Sequence, residues 1–335
     1  MNLASIIAVH EPGRVALIDG DDTVPFGQLR SRVAFVADDL RERGVGAGTT
    51  VALATGNDVA FVAASMAVLS LGGVVMPVNP TGPTPELVGK LDVAEPALLL
   101  VGHAGRLYLD DPAVTTPMVD LVELHAAAAQ LDATDSTFDI AARNGDDPAF
   151  YMATSGVSGS PKVAVLSHAN LSFLHRAMLE LTDPVRPDDV MLGVLPFTHI
   201  FGLNAVLLTS LQVGATIVLQ QRFDAVESLE LVREHGVTSL SGAPPMWQRW
   251  VNAEVPDDSL ASVRYAASGA AALPISVFER VRDRFGIEIA QGYGLTETAP
   301  VVTLGRGFEV RPTSVGKVLP GTEVALVDSS GAPVD

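Results

Sequence analysis

Between Thr23 and Ala271 the chain alternates two kinds of segment, and that alternation limits the folds open to it. "TVPFGQLRSRVAFVADDLRERGVGAG" sets Leu29, Val33, Val36 and Leu40 at helical spacing and then meets Gly44, a helix stop. "TTVALAT" follows as a short apolar run, the pattern of a buried strand. Asn57 reads as the cap of a helix reaching Leu71, and "GGVVMPVN" as the next strand. The same order returns at "TSLSGAP" and "VRYAASGA", each after a helical segment. Such alternation predicts an α/β fold with parallel sheets covered by helices. Residues 103–147 show no readable period, and "LDATDSTFDIAARNGDDPAF" reads as a surface connection.

At 335 residues, 48% of them hydrophobic, the chain has material for a large core. Its formal net charge of −18 argues against the basic face that a nucleic-acid partner requires. The absence of cysteine excludes disulfides, thiolate metal sites and cysteine nucleophiles. "MNLASIIAVHEPGR" lacks a basic start and has too short an apolar run for a signal peptide, so a cytoplasmic protein is expected. From Val190 to Gln221 no Asp, Glu, Lys or Arg occurs, which is long enough to span a bilayer. Pro196, Thr198, His199, Gly202, Asn204, Gln212 and Gly214 lie within it, and their insertion penalties favour a buried strand, loop and helix. No transmembrane span is expected; a peripheral membrane contact stays open.

"YMATSGVSGSPKVAVLSH" (151–168) is the most unusual stretch. Of 21 basic residues only Lys90, Lys162 and Lys317 are lysine, and one of them falls in this hydroxyl- and glycine-rich loop. Bare backbone N–H groups in a Gly-rich loop approach phosphate oxygens closely, hydroxyls add donors, and lysine adds a mobile point charge. The Walker pattern fails, because Pro161 and Val163 stand where it needs Gly and Ser or Thr. Its context fails too: "PAFYMAT" and "VAVLS" both read as strands, so the loop joins two strands. A hydroxyl-rich hairpin is the bland alternative.

"TSGVSGSPK" resembles the phosphate-binding loop of the adenylate-forming enzymes, the superfamily of acyl-CoA synthetases, coumarate ligases, firefly luciferase and peptide-synthetase adenylation domains. Val157, Ser158 and Val163 depart from that family's usual Thr, Thr and Gly. Further segments come in the family's order: "LGGVVMPVNP", "LPFTHIFGLNAVLL" (195–208), "SGAAALP" (268–274), "QGYGLTET" (291–298) and "SVGKVLPGTEVALVD" (314–328). The resemblance spans essentially the whole chain. Taken singly, "GYG" is only a turn, and His199, Phe197, Phe201 and Trp247 are as readily core residues. His168 and His175 show no metal-ligand pattern and read as structural.

The resemblance implies a large N-terminal adenylation domain of two helix-covered, mostly parallel sheets, with parts near 1–185 and 186–305 and the start of a small β-barrel subdomain at 306–335. It implies ATP-dependent activation of a carboxylic acid, expected to be a fatty acid, to acyl-AMP with release of pyrophosphate, then transfer to coenzyme A. Thr154, Ser155, Gly156, Ser158, Gly159 and Lys162 would hold the β- and γ-phosphates. Gly269, Ala270 and Ala271 would border adenine, Gln291, Gly292, Tyr293 and Gly294 the nucleotide, and Thr296 the α-phosphate. Glu297 would hold Mg²⁺, which favours hard oxygen ligands. His199 would orient the acyl carboxylate, beside Phe201, Gly202 and Gly269. Lys162, His199, Thr296 and Glu297 form the implied catalytic set. "FTHIFGLNAV" contains no acid to hold an amino group, so an amino-acid substrate is not expected. Alternatives are an acyl-AMP ligase serving a carrier protein and a catalytically silent nucleotide- or acyl-binding module. The retained Lys162, Thr296 and Glu297 favour the enzyme, and no inserted segment is evident between 242 and 315, which favours coenzyme A. The family's Thr-Gly-Asp segment, hinge and C-terminal domain do not occur in the sequence, so an N-terminal core with poor turnover alone is expected.

Lys162→Ala should weaken ATP binding at least about tenfold, and Ser158→Ala about fivefold, because a charged donor is stronger than a neutral one. Calorimetry that gives wild-type ATP affinity for Lys162→Ala removes the loop from the phosphate site.

Overall fold

Helix and strand do alternate, and they sort into two sheets. A computed structural model describes residues 1–131, 137–155 and 161–334. The first part of the chain supplies β1 (Val15–Asp19), β2 (Asp22–Pro25), α1 (Phe26–Glu42), β3 (Thr50–Ala54), α2 (Val59–Ser70) and β4 (Val74–Pro77). Next come α3 (Thr84–Ala94), β5 (Leu98–Val101), β6 (Met118–Asp120), α4 (Leu121–Ala129), β7 (Pro148–Ser155), β8 (Pro161–Ser167) and α5 (His168–Leu179). Then follow β9 (Val190–Gly193), a π-helix (Phe201–Leu208), α6 (Thr209–Val213), β10 (Thr216–Leu219), α7 (Ala225–His235), β11 (Ser239–Gly242) and α8 (Pro244–Trp250). The last elements are β12 (Tyr265–Ser268), α9 (Ile275–Phe285), β13 (Ile289–Gly294), β14 (Val301–Leu304) and β15 (Lys317–Val318).

One sheet has the order β6-β5-β3-β4-β7-β8, all parallel except the β7–β8 hairpin. The other runs β15-β14-β13-β12-β11-β9-β10-β1-β2. Its centre is parallel, and the β1–β2 hairpin and β13-β14-β15 add antiparallel edges. This is the α/β architecture of two helix-covered, mostly parallel sheets. The N-terminal hairpin, close to the start of the chain, thus completes the sheet built mainly from residues beyond 190.

Helix α2, "VAFVAASMAVLS", has no polar stripe, and each of its residues is buried. A helix apolar on all sides must be surrounded. Its core cluster draws on β1, α1, β3, β7, Phe197 and the π-helix, and therefore on both sheets. A second cluster under β11 to β13 centres on Trp247 and Trp250, whose rings meet edge to face at 4.9 Å. Trp247 is core, and its Nε1 donates to Ala267 O at 3.0 Å. Each buried Val, Leu or Phe contributes about 1.5–3 kcal/mol.

Asn57 does not cap α2. Asp58 stands immediately before the first helical residue and does so: its Oδ1 accepts from Phe61 N at 2.7 Å, and its Oδ2 from the Thr55 hydroxyl at 2.7 Å. Burial pushes its carboxyl pKa up to about 6. Asn57 reaches across to the other sheet. Its Nδ2 donates to Gly193 O (2.9 Å) and Leu195 O (2.8 Å), and its Oδ1 accepts from Phe197 N (3.0 Å). One amide thereby satisfies three backbone groups where the chain leaves β9.

Residues 103–147 hold more than a surface connection: they include β6 and α4, and Phe138 and Ile140 pack on the core. Both elements are short, and α4 buries only Leu121 and Ala128, too few positions to show a period. The uncharged stretch from Val190 to Gln221 folds as β9, a loop, the π-helix, α6 and β10. Among the described residues no helix is long and apolar enough to cross a membrane.

Asn57→Ala leaves two buried carbonyls and an amide without partners. Urea unfolding should show a loss of about 2–4 kcal/mol; a loss under 1 kcal/mol would mean that water or backbone adjustment replaces the amide.

Candidate functional site

Parallel strands in register end at a common edge, and crevices beyond such carboxyl ends bind ligands. Here β12 ends at Ser268, paired with Gln291, while β13 runs on to Gly294 along β14. The chain beyond β12 turns at Gly269 and Ala270, and β13 ends in Gly292, Tyr293 and Gly294. The segment after β9, held by Asn57, delivers His199, Ile200 and Phe201 to the same edge. The other sheet brings Ala153 and Thr154 at the end of β7. Between them lies a cavity of about 380 Å³, completed by Leu295, Thr296, Glu297, Pro300, Val301 and Leu304.

Three backbone features set its shape. A Cβ on Gly294 would lie 1.5 Å from Pro300 O, so only glycine lets β13 end against Pro300. Ala270 adopts φ +69, uncommon for a residue with a Cβ, where the chain rounds the cavity. A Cβ on Gly269 would meet Phe201 Cε1 at 3.0 Å, so a bare backbone there makes room for the ring.

The turn Thr296–Thr298 presents a half-buried hydroxyl and an exposed carboxylate to the cavity. Thr298, which sequence reasoning did not single out, pins this turn: its Oγ1 accepts from Leu295 N at 2.9 Å and lies 2.9 Å from Pro300 O. Asn204 was likewise missed. Its Nδ2 donates to Ala299 O at 2.6 Å, and His175 Nε2 lies 2.8 Å from its Oδ1. Both are polar residues inside the quoted segments 291–298 and 195–208, and only that membership could have flagged them.

The His199 ring opens onto the cavity, yet the walls around the mouth deplete its water and hold its pKa below the ordinary 6.5. Its Nδ1 accepts from Phe201 N at 3.3 Å, so the neutral ring carries its proton on Nε2. His175 is fully enclosed, and burial lowers its pKa to about 4. His168 is enclosed too, accepting from Leu3 N at 3.1 Å, and its pKa also falls to about 4.

Of the residues singled out from sequence, Thr154, His199, Phe201, Gly269, Ala270, Gly292, Tyr293, Gly294, Thr296 and Glu297 line this one cavity. Lys162 stands exposed on β8, paired in register with Thr154 at the cavity edge. Ser155 ends β7, while Gly156, Ser158 and Gly159 lie outside the described residues. Ala271 is exposed beyond the lining. Gln291 turns its side chain away: it accepts from Leu273 N (2.9 Å) and donates to Pro312 O (2.5 Å). Gly202 serves close packing, since a Cβ there would lie 2.5 Å from Leu195 O and Pro196 O. Among the described residues no three metal-ligating side chains cluster. A lone carboxylate fits Mg²⁺ all the same, because that ion keeps waters and takes most oxygens from substrate phosphates.

The sequence profile of the "AMP-binding enzyme" family matches residues 7–335. Similar curated proteins include 4-coumarate–CoA ligase 5 of Oryza sativa subsp. japonica, 32% identical over 94% of this chain and 61% of its own length. Feruloyl-CoA synthase of an Amycolatopsis species is 32% identical over 96% of this chain and 65% of its own. The chain thus spans under two thirds of the length of these relatives. Among solved structures, ATP-bound MatB from Rhodopseudomonas palustris superposes with a TM-score of 0.88 at 25% identity, covering 100% of this chain and 68% of that one. The N-terminal domain of FACL13 from Mycobacterium tuberculosis gives 0.86 at 25% identity, covering 99% and 86%.

A histidine NMR titration should place His175 near 4 and His199 below 6.5. Both rings are then neutral at pH 7 and gain a proton only as pH falls. A His199 midpoint above 6.5 would show that the cavity does not desolvate it.

Proposed function

Because the chain belongs to the AMP-binding enzyme family, we propose that it carries the adenylation site of an acid–CoA ligase acting on an apolar carboxylic acid. One observation carries the reading: His199 and Phe201 share a single cavity with Thr154, Thr296 and Glu297. An acid-orienting group and phosphate-facing groups are thereby within one ligand's reach.

A carboxylate is a poor acylating agent because its leaving group is oxide. In the proposed step its oxygen attacks the α-phosphorus of ATP. The new O–Pα bond gives acyl-AMP, and the Pα–O bond to the β-phosphate breaks to release pyrophosphate. Two anions must approach, so positioning and charge neutralisation dominate the barrier. The neutral His199 ring offers its Nε2 proton to the carboxylate without a second charge. The Thr296 hydroxyl donates to the α-phosphate, Lys162 and the hydroxyls of its loop take the outer phosphates, and Tyr293 gives adenine a flat face. Glu297 would hold Mg²⁺, which would supply further charge neutralisation.

Phe201, Val301 and Leu304 line the cavity and would wall the acid end, and among the described residues Glu297 is the one carboxylate in the lining. Those apolar walls support an aryl or acyl acid that carries no second charge. The names of the coumarate and ferulate relatives point the same way. Coenzyme A is the proposed acceptor of the acyl group.

Acid-dependent ATP–pyrophosphate exchange tests the reading, with 4-coumarate, ferulate, benzoate and fatty acids as the panel. Exchange is expected with an aryl acid, and Glu297→Gln should lower it roughly 10–100-fold. ATP binding without exchange for any acid would leave a silent binding module.

A further inference from the structure

We propose that Asn204 is a positioning residue that couples the acid end of the cavity to its phosphate end; the proposal rests on the roles given above to His199, Thr296 and Glu297. Asn204 sits in the π-helix that begins with Phe201, and it is wholly buried among apolar side chains. Its amide makes three contacts. Nδ2 donates to Ala299 O at 2.6 Å and to Leu171 O at 3.3 Å, while Oδ1 accepts from His175 Nε2 at 2.8 Å. Ala299 directly follows the turn that carries Thr296 and Glu297, and its φ of +62 is uncommon for alanine.

A buried amide is stable only while its partners stay in place, because an orphaned polar group inside a core is costly. A leucine would fill the same space without that condition. The π-helix and the Thr296–Thr298 turn are therefore tied at one point. A shift of Phe201 and its helix on acid binding either carries Ala299 along or breaks the 2.6 Å bond. Acid and nucleotide then sense each other through this tether as well as through direct contact. Asn57 provides the contrast: among the described residues its side-chain hydrogen bonds run to Gly193, Leu195 and Phe197, and none runs to the Thr296–Ala299 segment.

The test is the calorimetric affinity of this chain for 4-coumarate with and without saturating Mg·AMP. Wild type should bind the acid at least about fivefold tighter with nucleotide present. In Asn204→Ala that ratio should fall to within twofold of one. Asn57→Ala should weaken acid binding and keep the ratio. A wild-type ratio in Asn204→Ala overturns the tether, as does a ratio of one in wild type. Wild-type protein that binds no acid at all overturns the functional reading instead, and the tether with it. Hydrogen exchange on wild type covers the case in which Asn204→Ala fails to fold. There, 4-coumarate alone should slow the Thr298 and Ala299 amides, and unchanged rates overturn the proposal.

Discussion

Every feature of the cavity depends on a helix with no solvent face. Because α2 buries all its residues, the two sheets cannot separate without exposing it. The apolar driving force is non-directional, so it brings the sheets together but does not align them. Alignment comes from polar groups at the ends of that core. Asn57 grips the chain leaving β9, and Asn204 grips the turn after β13. Hydrophobic burial thus supplies the adhesion, and a few buried amides supply the register.

The chemistry at the edge is local, set against the global charge. A chain of net charge −18 is a poor host for triply or quadruply charged phosphates, and long-range attraction cannot recruit them. Under the proposed function, short-range donors such as Thr154, Thr296 and Lys162 would have to do it. The desolvated His199 fits the same proposal, in which a neutral donor would orient a carboxylate without a counter-charge inside the walls. The carboxylate of Glu297 remains exposed, where a hydrated cation can reach it.

The alternation of helix and strand was legible because it depends on local apolar spacing, which survives in any α/β chain. The "QGYGLTET" and "FTHIFGLN" segments were legible because their residue types are chosen by ligand chemistry, and ten of the residues picked from sequence do meet at one cavity. Other features were hidden for identifiable reasons. Asn57 precedes a helix and looks like a cap, yet its partners are 136 to 140 residues away, and no local pattern records them. Gln291 lies inside the most diagnostic motif but spends its amide on Leu273 and Pro312. The β1–β2 hairpin gives no hint that it will join strands some two hundred residues later, since parallel pairing leaves no turn signature.

The contact between Gly269 and Phe201 has a consequence for how the cavity can be reshaped. The Phe201 ring, which lines the cavity, rests 3.0 Å from where a Cβ at 269 would be. A side chain there would require the ring to give by a few tenths of an ångström, and a smaller residue at 201 would enlarge the cavity. Thr154, Thr296 and Glu297 line the same cavity from other segments, and the bond from Asn204 to Ala299 is a link by which a shift of the Phe201 helix would reach that turn. The shape of the cavity can therefore be altered at two neighbouring positions without replacing any residue of the Thr296–Thr298 turn, so cavity shape and turn chemistry are encoded by separate parts of the chain.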